Sequence, residues 1–161
     1  MAESGIGRLF RHSQQPTPDF TVRPVAPGDL SGCAAVYVEA FADPPYNLTW
    51  SLQDAEELLG VFLQREPSLC FCAEAKRTVI GIAFCSTVAR YRATIEELAV
   101  LPAWQGKGVG KALLDKCLEE LRGRGYTQVD LIANLRAPAM RFYERNGFRW
   151  VRHYAVLVKD L

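Results

Sequence analysis

The sequence predicts a single α/β domain, built on one mixed, mostly antiparallel twisted sheet flanked by helices. Three observations predict it. Strand-like and helix-like patterns alternate in the order β-α-α-β-β-β-α-β-α-β, with antiparallel strands first and a strand-helix-strand unit later. A chain of 161 residues has the size of one domain and can bury a sizeable core. Its 49% hydrophobic and 23% charged residues are the balance of an ordinary globular protein.

The elements follow in order. Residues 1–19 carry scattered arginines, serine, glutamines and two prolines without a continuous apolar run, and they read as a mobile leader before a domain over 20–161. Phe20 to Val25 reads as a first strand, stopped by Pro24 and Pro27. Asp29 is placed to cap a helix in which Leu30, Cys33, Ala34, Tyr37, Val38 and Phe41 recur at helical spacing. Asp43-Pro44-Pro45 must break that helix. Ser51, with Asp54 three residues on, signals a second helix through Leu52, Ala55, Leu58, Leu59 and Phe62, which Pro67 ends.

Leu69 to Ala75 and Thr78 to Ala89 flank the polar pair Lys76-Arg77 and read as an antiparallel hairpin. A strand near Ala93 to Val100 then leads into a glycine turn. Val109, Leu113, Cys117 and Leu121 repeat every four residues opposite a charged face, and Gly123 and Gly125 stop this third helix. Thr127 to Ala133 is expected as a strand, Pro138 to Asn146 as a short helix with Gly147 past its end, and Phe148 to Val158 as a final strand.

Charge and cysteine usage exclude several function classes. A formal net charge of +1 removes bulk electrostatics as a route to nucleic acid, so any anion site must be local. The five cysteines have no metal-ligand spacing, and their odd number cannot close a complete disulfide set. They read as buried free thiols of a reducing compartment, which points to a cytoplasmic protein without a metal. No stretch approaches the roughly 20 apolar residues that cross a bilayer.

The most informative segment is Thr94-Ile-Glu-Glu-Leu-Ala-Val-Leu-Pro-Ala-Trp-Gln-Gly-Lys-Gly-Val-Gly110. Gln105, Gly106, Gly108 and Gly110 interrupt the pattern where a strand ends and an amphipathic helix begins. A helix start there presents unpaired N–H groups and the positive end of its dipole, a fit for phosphate. Lys107 and Lys111 add positive charge, although solvation of a helix start explains them equally well. Neither the P-loop ending nor the dinucleotide spacing is present.

Gln105-x-x-Gly108-x-Gly110, preceded by Leu98-Ala99-Val100 and Pro102, resembles the acetyl-coenzyme A signature of the GCN5-related N-acetyltransferase (GNAT) family. The segment from Ala139 through Tyr143 to Phe148 resembles that family's downstream motif. Together with the element order, the resemblance covers about residues 20–160 and implies a GNAT-like acyl-CoA N-acyltransferase fold. It implies that Gln105, Gly106, Lys107, Gly108, Val109, Gly110 and Lys111 hold the coenzyme A pyrophosphate. It further implies that the strand splays at a bulge, so that the backbone of Leu98, Ala99 and Val100 pairs with the pantetheine arm.

Acetyl transfer needs a free amine lone pair, yet an alkylamine with a pKa of about 10.4 is protonated at pH 7, so a base must take the proton. Glu96 and Glu97 are neighbours in a strand and point to opposite faces. Alignment to the family pattern makes Glu96 the base and leaves Glu97 for substrate or a salt bridge; a bulge would reverse the two. Tyr143 matches the family tyrosine that serves the departing thiolate, while core packing beside Phe142 and Phe148 is its plainer reading. Where many relatives carry asparagine seven residues before that tyrosine, this chain has Arg136. The resemblance then leaves Asn134 for pantetheine or an active-site water and Arg136 for phosphate, with Asn134 equally able to cap a turn.

The irregular connection from Phe41 to Trp50 supplies Asp43, Tyr46 and Trp50 as an aromatic and acidic wall suited to an amine, and Tyr91 is a further contributor. The expected activity is acetyl-CoA-dependent N-acetyl transfer to a primary amine of a small molecule, by direct attack in a ternary complex. A protein or peptide amine is the near alternative, and a non-catalytic acyl-CoA-binding sensor the distant one. Trp150 and Tyr154 on the expected last strand suit either a homodimer contact or the chain's own core.

Overall fold

A computed structural model describes residues 19–153 and 155–159. The expected leader, apart from Asp19, lies outside the described residues, as does Tyr154. Five strands form one sheet in the order of the chain: β1 (Thr21–Pro24), β2 (Cys70–Ala75), β3 (Thr78–Ala89), β4 (Arg92–Val100) and β5 (Gln128–Leu131). The first four are antiparallel neighbours, and β5 runs parallel to β4. A parallel neighbour requires a long crossover, supplied here by α3 (Val109–Gly123). The mixed, mostly antiparallel sheet is therefore as expected.

Helices cover both faces. On one face α1 (Leu30–Ala42) and α2 (Leu52–Arg65) pack Cys33, Ala34, Val36, Tyr37, Ala55 and Leu59 against Cys70, Cys72, Ile82, Phe84 and Ala99. On the other, Val109, Leu113, Leu114, Cys117 and Leu121 of α3 cover Phe71, Ala73, Ala83, Cys85, Ala93 and Ile95. The alternation of β2 between these lists follows from the two-residue period of a strand. Phe71, Phe84, Leu59 and Leu113 are fully buried, each contributing about 1.5–3 kcal/mol of transfer free energy. All five cysteines are buried and free.

Local signals explain most boundaries. Ser51 accepts the Asp54 N–H at 3.0 Å and so caps α2. Lys76 and Arg77 both adopt positive φ, which lets a two-residue turn join β2 to β3 with the right twist. Gly125, in the left-handed region, returns its N–H to the Arg122 carbonyl at 2.9 Å and closes α3. The short helix α4 (Ala139–Arg145) ends before Gly147.

Two expectations need correction. Asp29 precedes α1, but its carboxylate does not cap that helix. It accepts the Ala26 N–H at 2.8 Å and two contacts from Arg23 at 2.6 and 2.9 Å, and the guanidinium holds it down at about 2. The ion pair wins because Arg23 is fixed from its other side by Glu74. The final strand is also not formed among the described residues from Phe148 to Val158. Val156, Leu157 and Val158 stay exposed and find no ladder on β5, so an apolar run has no backbone partner to make it a strand.

Candidate active site

The register between β3 and β4 sets the site. Phe84 lies opposite Glu97 and Cys85 opposite Ile95, so Glu96 is an inserted residue with no partner of its own. Strand parity inverts across it. Ile95 faces α3, whereas Ala99 faces α1 and α2, although both are odd positions on the same strand. Glu97, opposite Phe84, therefore enters the α1/α2 side, where simple alternation would have sent its neighbour.

The two acids consequently have different surroundings. Glu96 is exposed and receives a hydrogen bond from the Ser86 hydroxyl. Glu97 is half-buried; burial, then the nearby Glu96, pushes its carboxyl up to about 7, while the neighbouring Tyr37 phenol works in the opposite direction. Tyr37 is 4% exposed and its phenol is pushed up to about 12 by burial and by Glu97. A carboxyl poised near neutrality is suited to accept and release a proton.

Beside Glu97 the sheet opens. Pairing of β4 with β5 stops at Ile95 opposite Leu131, so from Glu96 to Val100 the strand has β3 on one side and, among the described residues, no strand on the other. At its end Gln105 donates from Nε2 to the Val100 carbonyl at 3.1 Å, folding the turn back on the strand. Gly108, at φ 87°, is the N-cap of α3 and offers no side chain to the first-turn N–H groups. Those groups remain available to an anion.

The charges flanking the turn are engaged elsewhere. Lys107 lies over the Trp104 ring, 5.4 Å from its centroid, and Lys111 pairs with Asp115 at 2.6 Å. Both remain exposed on the turn's rim.

Tyr143 reaches the opening from α4. It is 9% exposed and held edge-on between Phe142 and Phe148, with ring centroids 5.2 and 5.5 Å away. Burial pushes its phenol up, with Tyr46 and Glu97 adding to the effect. A Cβ on Gly110 would lie 3.8 Å from the Phe142 ring, so α4 rests on the start of α3 and ties Tyr143 to the glycine turn.

The wall near Glu97 is aromatic. Trp50 and Phe41 meet Tyr37 edge-on at 5.5 and 4.9 Å, and Tyr46 meets Phe41 at 4.8 Å. Asn134 donates to the Pro45 carbonyl at 3.3 Å and accepts the Arg136 N–H at 2.9 Å, so it ties the connection between α1 and α2 to the end of β5. Its bonds are those of a turn-forming asparagine. Asp43 is exposed at the end of α1, and Arg136 is exposed beyond Asn134.

Tyr91 does not join this group. It precedes β4, six positions before Glu97 and roughly 20 Å away along an extended strand, where its carbonyl receives the N–H groups of Thr127 and Gln128. Its ring is 55% exposed. Sequence reasoning in turn passed over Tyr37 and Ser86. Tyr37 was hidden in an apolar helical stripe; the phenol on an otherwise apolar buried face was the available signal. Among the described residues, no group of three or more His, Cys, Asp or Glu is arranged to hold a metal. No helix among them is long and apolar enough to cross a membrane.

Comparison with known proteins identifies a family. The family model described as "Acetyltransferase (GNAT) family" matches residues 33–148. A mycothiol acetyltransferase from Thermobispora bispora is 33% identical over 142 residues, covering 80% of this chain and 46% of that protein. A streptothricin acetyltransferase from Streptomyces lavendulae is 33% identical over 135 residues, covering 80% of this chain and 70% of that protein. The crystal structure of a GNAT family acetyltransferase from Brucella melitensis in complex with acetyl-CoA superposes with a TM-score of 0.65 at 26% identity, covering 82% and 84% of the two chains. The chain spans about half the length of the mycothiol acetyltransferase it matches.

Proposed function

Because this chain belongs to the acetyltransferase (GNAT) family, we propose that it is an acetyl-CoA-dependent N-acetyltransferase acting on a primary amine of a small molecule, by direct attack in a ternary complex. The observation that carries this reading is the opening of β4 from β5 at the inserted Glu96, with an uncapped helix start at one end and Glu97 at the other. The residues present fit the cosubstrate. The N–H groups of Val109, Gly110 and Lys111 at the start of α3 would receive the pyrophosphate, with Gln105, Gly106, Lys107 and Gly108 shaping the turn. The free backbone edge of Leu98, Ala99 and Val100 would pair with the amide-bearing arm as a strand pairs with its neighbour.

Acetyl-CoA supplies an activated thioester. The chain must supply orientation, a base and a donor. Glu97 takes the base role that alignment gave to Glu96: it occupies the α1/α2 side of the strand beside the aromatic wall, and its carboxyl sits near 7. It would accept a proton from the ammonium, directly or through one water, and leave a lone pair free to attack. Tyr143, kept protonated by burial, would donate to the departing sulfur. Tyr46, Trp50 and the exposed Asp43 would form the acceptor wall, which can hold a cation against ring faces. Asn134 would fix that wall through Pro45, and Arg136 would stand at its rim.

A small-molecule acceptor is favoured by the half-buried position of Glu97 beside Tyr37, whose ring meets Phe41 and Trp50. The test is thiol release from acetyl-CoA across a panel of polyamines, aminoglycosides, amino acids and N-terminal peptides. Turnover on a small amine is expected. Turnover on peptides alone moves the acceptor to protein N-termini, and acetyl-CoA binding without turnover on any acceptor makes the chain a sensor.

A further inference from the structure

The sheet continues past the cover that α1 and α2 give it. On β3, Ile82 and Phe84 are fully buried beneath those helices, but Ser86, two residues further along the same face, is half-buried and Val88 is exposed. Phe84 pairs with Glu97, so the base stands at the border between the covered part of the sheet and a bare stretch beyond it. That stretch is polar. Thr94 lies opposite Ser86 and donates to Asp130 of β5 at 2.7 Å, and Arg92 lies 3.5 Å from the same carboxylate. An acceptor whose amine meets Glu97 can lay the rest of its body there without entering the core.

The acids of this stretch differ in how their charge is compensated. Asp130 has a hydroxyl on one oxygen and a guanidinium beside the other. Glu96 has the neutral Ser86 hydroxyl on Oε1 and, among the described residues, no ion-pair partner. A bulge re-aims the side chain it carries, and the bond to Ser86 draws the inserted Glu96 carboxylate out over the bare stretch. Glu96 and Glu97 are thus neighbouring carboxyls without a cation between them, and Glu96 adds to the upward push on the Glu97 carboxyl. A positive group on Glu96 would supply the compensation that the chain does not.

We infer that Glu96, held by Ser86, seats a second cationic group of the acceptor, so that the preferred acceptors are diamines or longer polyamines. The inference rests on the reading of Glu97 as the base. One amine is acetylated at Glu97 while another ammonium rests on Glu96. Ser86 is two positions from Phe84, so at a rise of about 3.3 Å per residue the two seats lie roughly 7 Å apart along the sheet, a gap that a short aliphatic chain spans. Glu97 alone takes the proton from the attacking amine; Glu96 exchanges none.

The experiment uses the full chain and compares putrescine with butylamine by kcat/KM for thiol release. Putrescine offers two equivalent amines, an advantage of about twofold by statistics alone, and an exposed ion pair should raise the wild-type preference to about tenfold. Glu96→Gln keeps an acceptor for Ser86 and loses the charge, so the preference should fall to about twofold, through KM for putrescine and not through kcat. Retained acetyl-CoA affinity in calorimetry shows that the variant is folded. Added salt should erode the preference in wild type and leave that of Glu96→Gln where it is, because exposed charges are screened. Ser86→Ala, which frees the carboxylate, should lose part of the preference. No preference beyond statistics in wild type, or a preference that survives Glu96→Gln, overturns the second seat and leaves the acetyl-transfer reading standing. Turnover on neither amine overturns transfer to small amines, and this inference with it.

Discussion

From Arg92 to Ile95, β4 has a strand on both sides; from Glu96 to Val100 it has, among the described residues, β3 alone. The closed half is a structural ladder. Ala93 and Ile95 are buried, and Thr94 donates to Asp130 across the parallel pair at 2.7 Å. The open half has no strand partner for the main-chain groups on one edge; the Val100 carbonyl takes Gln105, and the other groups must go to water or to a ligand. One inserted residue separates the two halves. The strand thus carries a paired ladder and an open edge in succession, and the residue between them decides which acid faces the side of α1 and α2.

Substitutions in each half should separate those two roles. The largest expected effect is Glu97→Gln in the open half, which should lower kcat by about a hundredfold to a thousandfold while acetyl-CoA binding, measured by calorimetry, is retained. Near-normal turnover would remove Glu97 from the chemistry.

The same variant should be more stable than wild type at pH 8. A carboxyl at 4.5 when unfolded and about 7 when folded binds its proton more tightly in the native state, so stability falls as pH rises between those values. Removing the charge should recover on the order of 2 kcal/mol at pH 8 and little at pH 4, read from urea unfolding. Equal effects at both pH values contradict this linkage.

Tyr143→Phe should slow single-turnover transfer by roughly tenfold without unfolding the protein, because the ring contacts with Phe142 and Phe148 survive. Normal transfer would reduce Tyr143 to packing. In the closed half, Thr94→Val should cost about 1 kcal/mol of stability by leaving Asp130 Oδ1 without its donor, with Arg92 still beside Oδ2, yet leave kcat unchanged. A fall in kcat there means that the halves are coupled. Smallest of all, Glu96→Gln should change turnover by less than about threefold, since Glu96 is exposed and a glutamine can still accept from Ser86.

Much of this comparison was legible from residue types. Gly108 marks a backbone conformation that other residues resist, so the anion turn announces itself without any tertiary information. The Ser51 cap, the two-residue turn at Lys76-Arg77 and the left-handed Gly125 are equally local. Asp29 misled because a cap and an ion pair need the same carboxylate, and Arg23 comes from another element. The segment from Phe148 to Val158 misled because its apolar run needs a backbone partner that β5 does not provide.

Sequence alone determined the fold class, the glycine turn before α3 and the short helix that carries Tyr143, because each depends on periodicity, on glycine or on a motif contained in a few consecutive residues. Only the tertiary structure decided which of Glu96 and Glu97 faces the side of α1 and α2, beside Tyr37. The side chains of a strand repeat every two residues, so one unpaired residue inverts all that follow. Where that residue falls is set by the register of β4 against β3, across the sheet, and not by β4 itself.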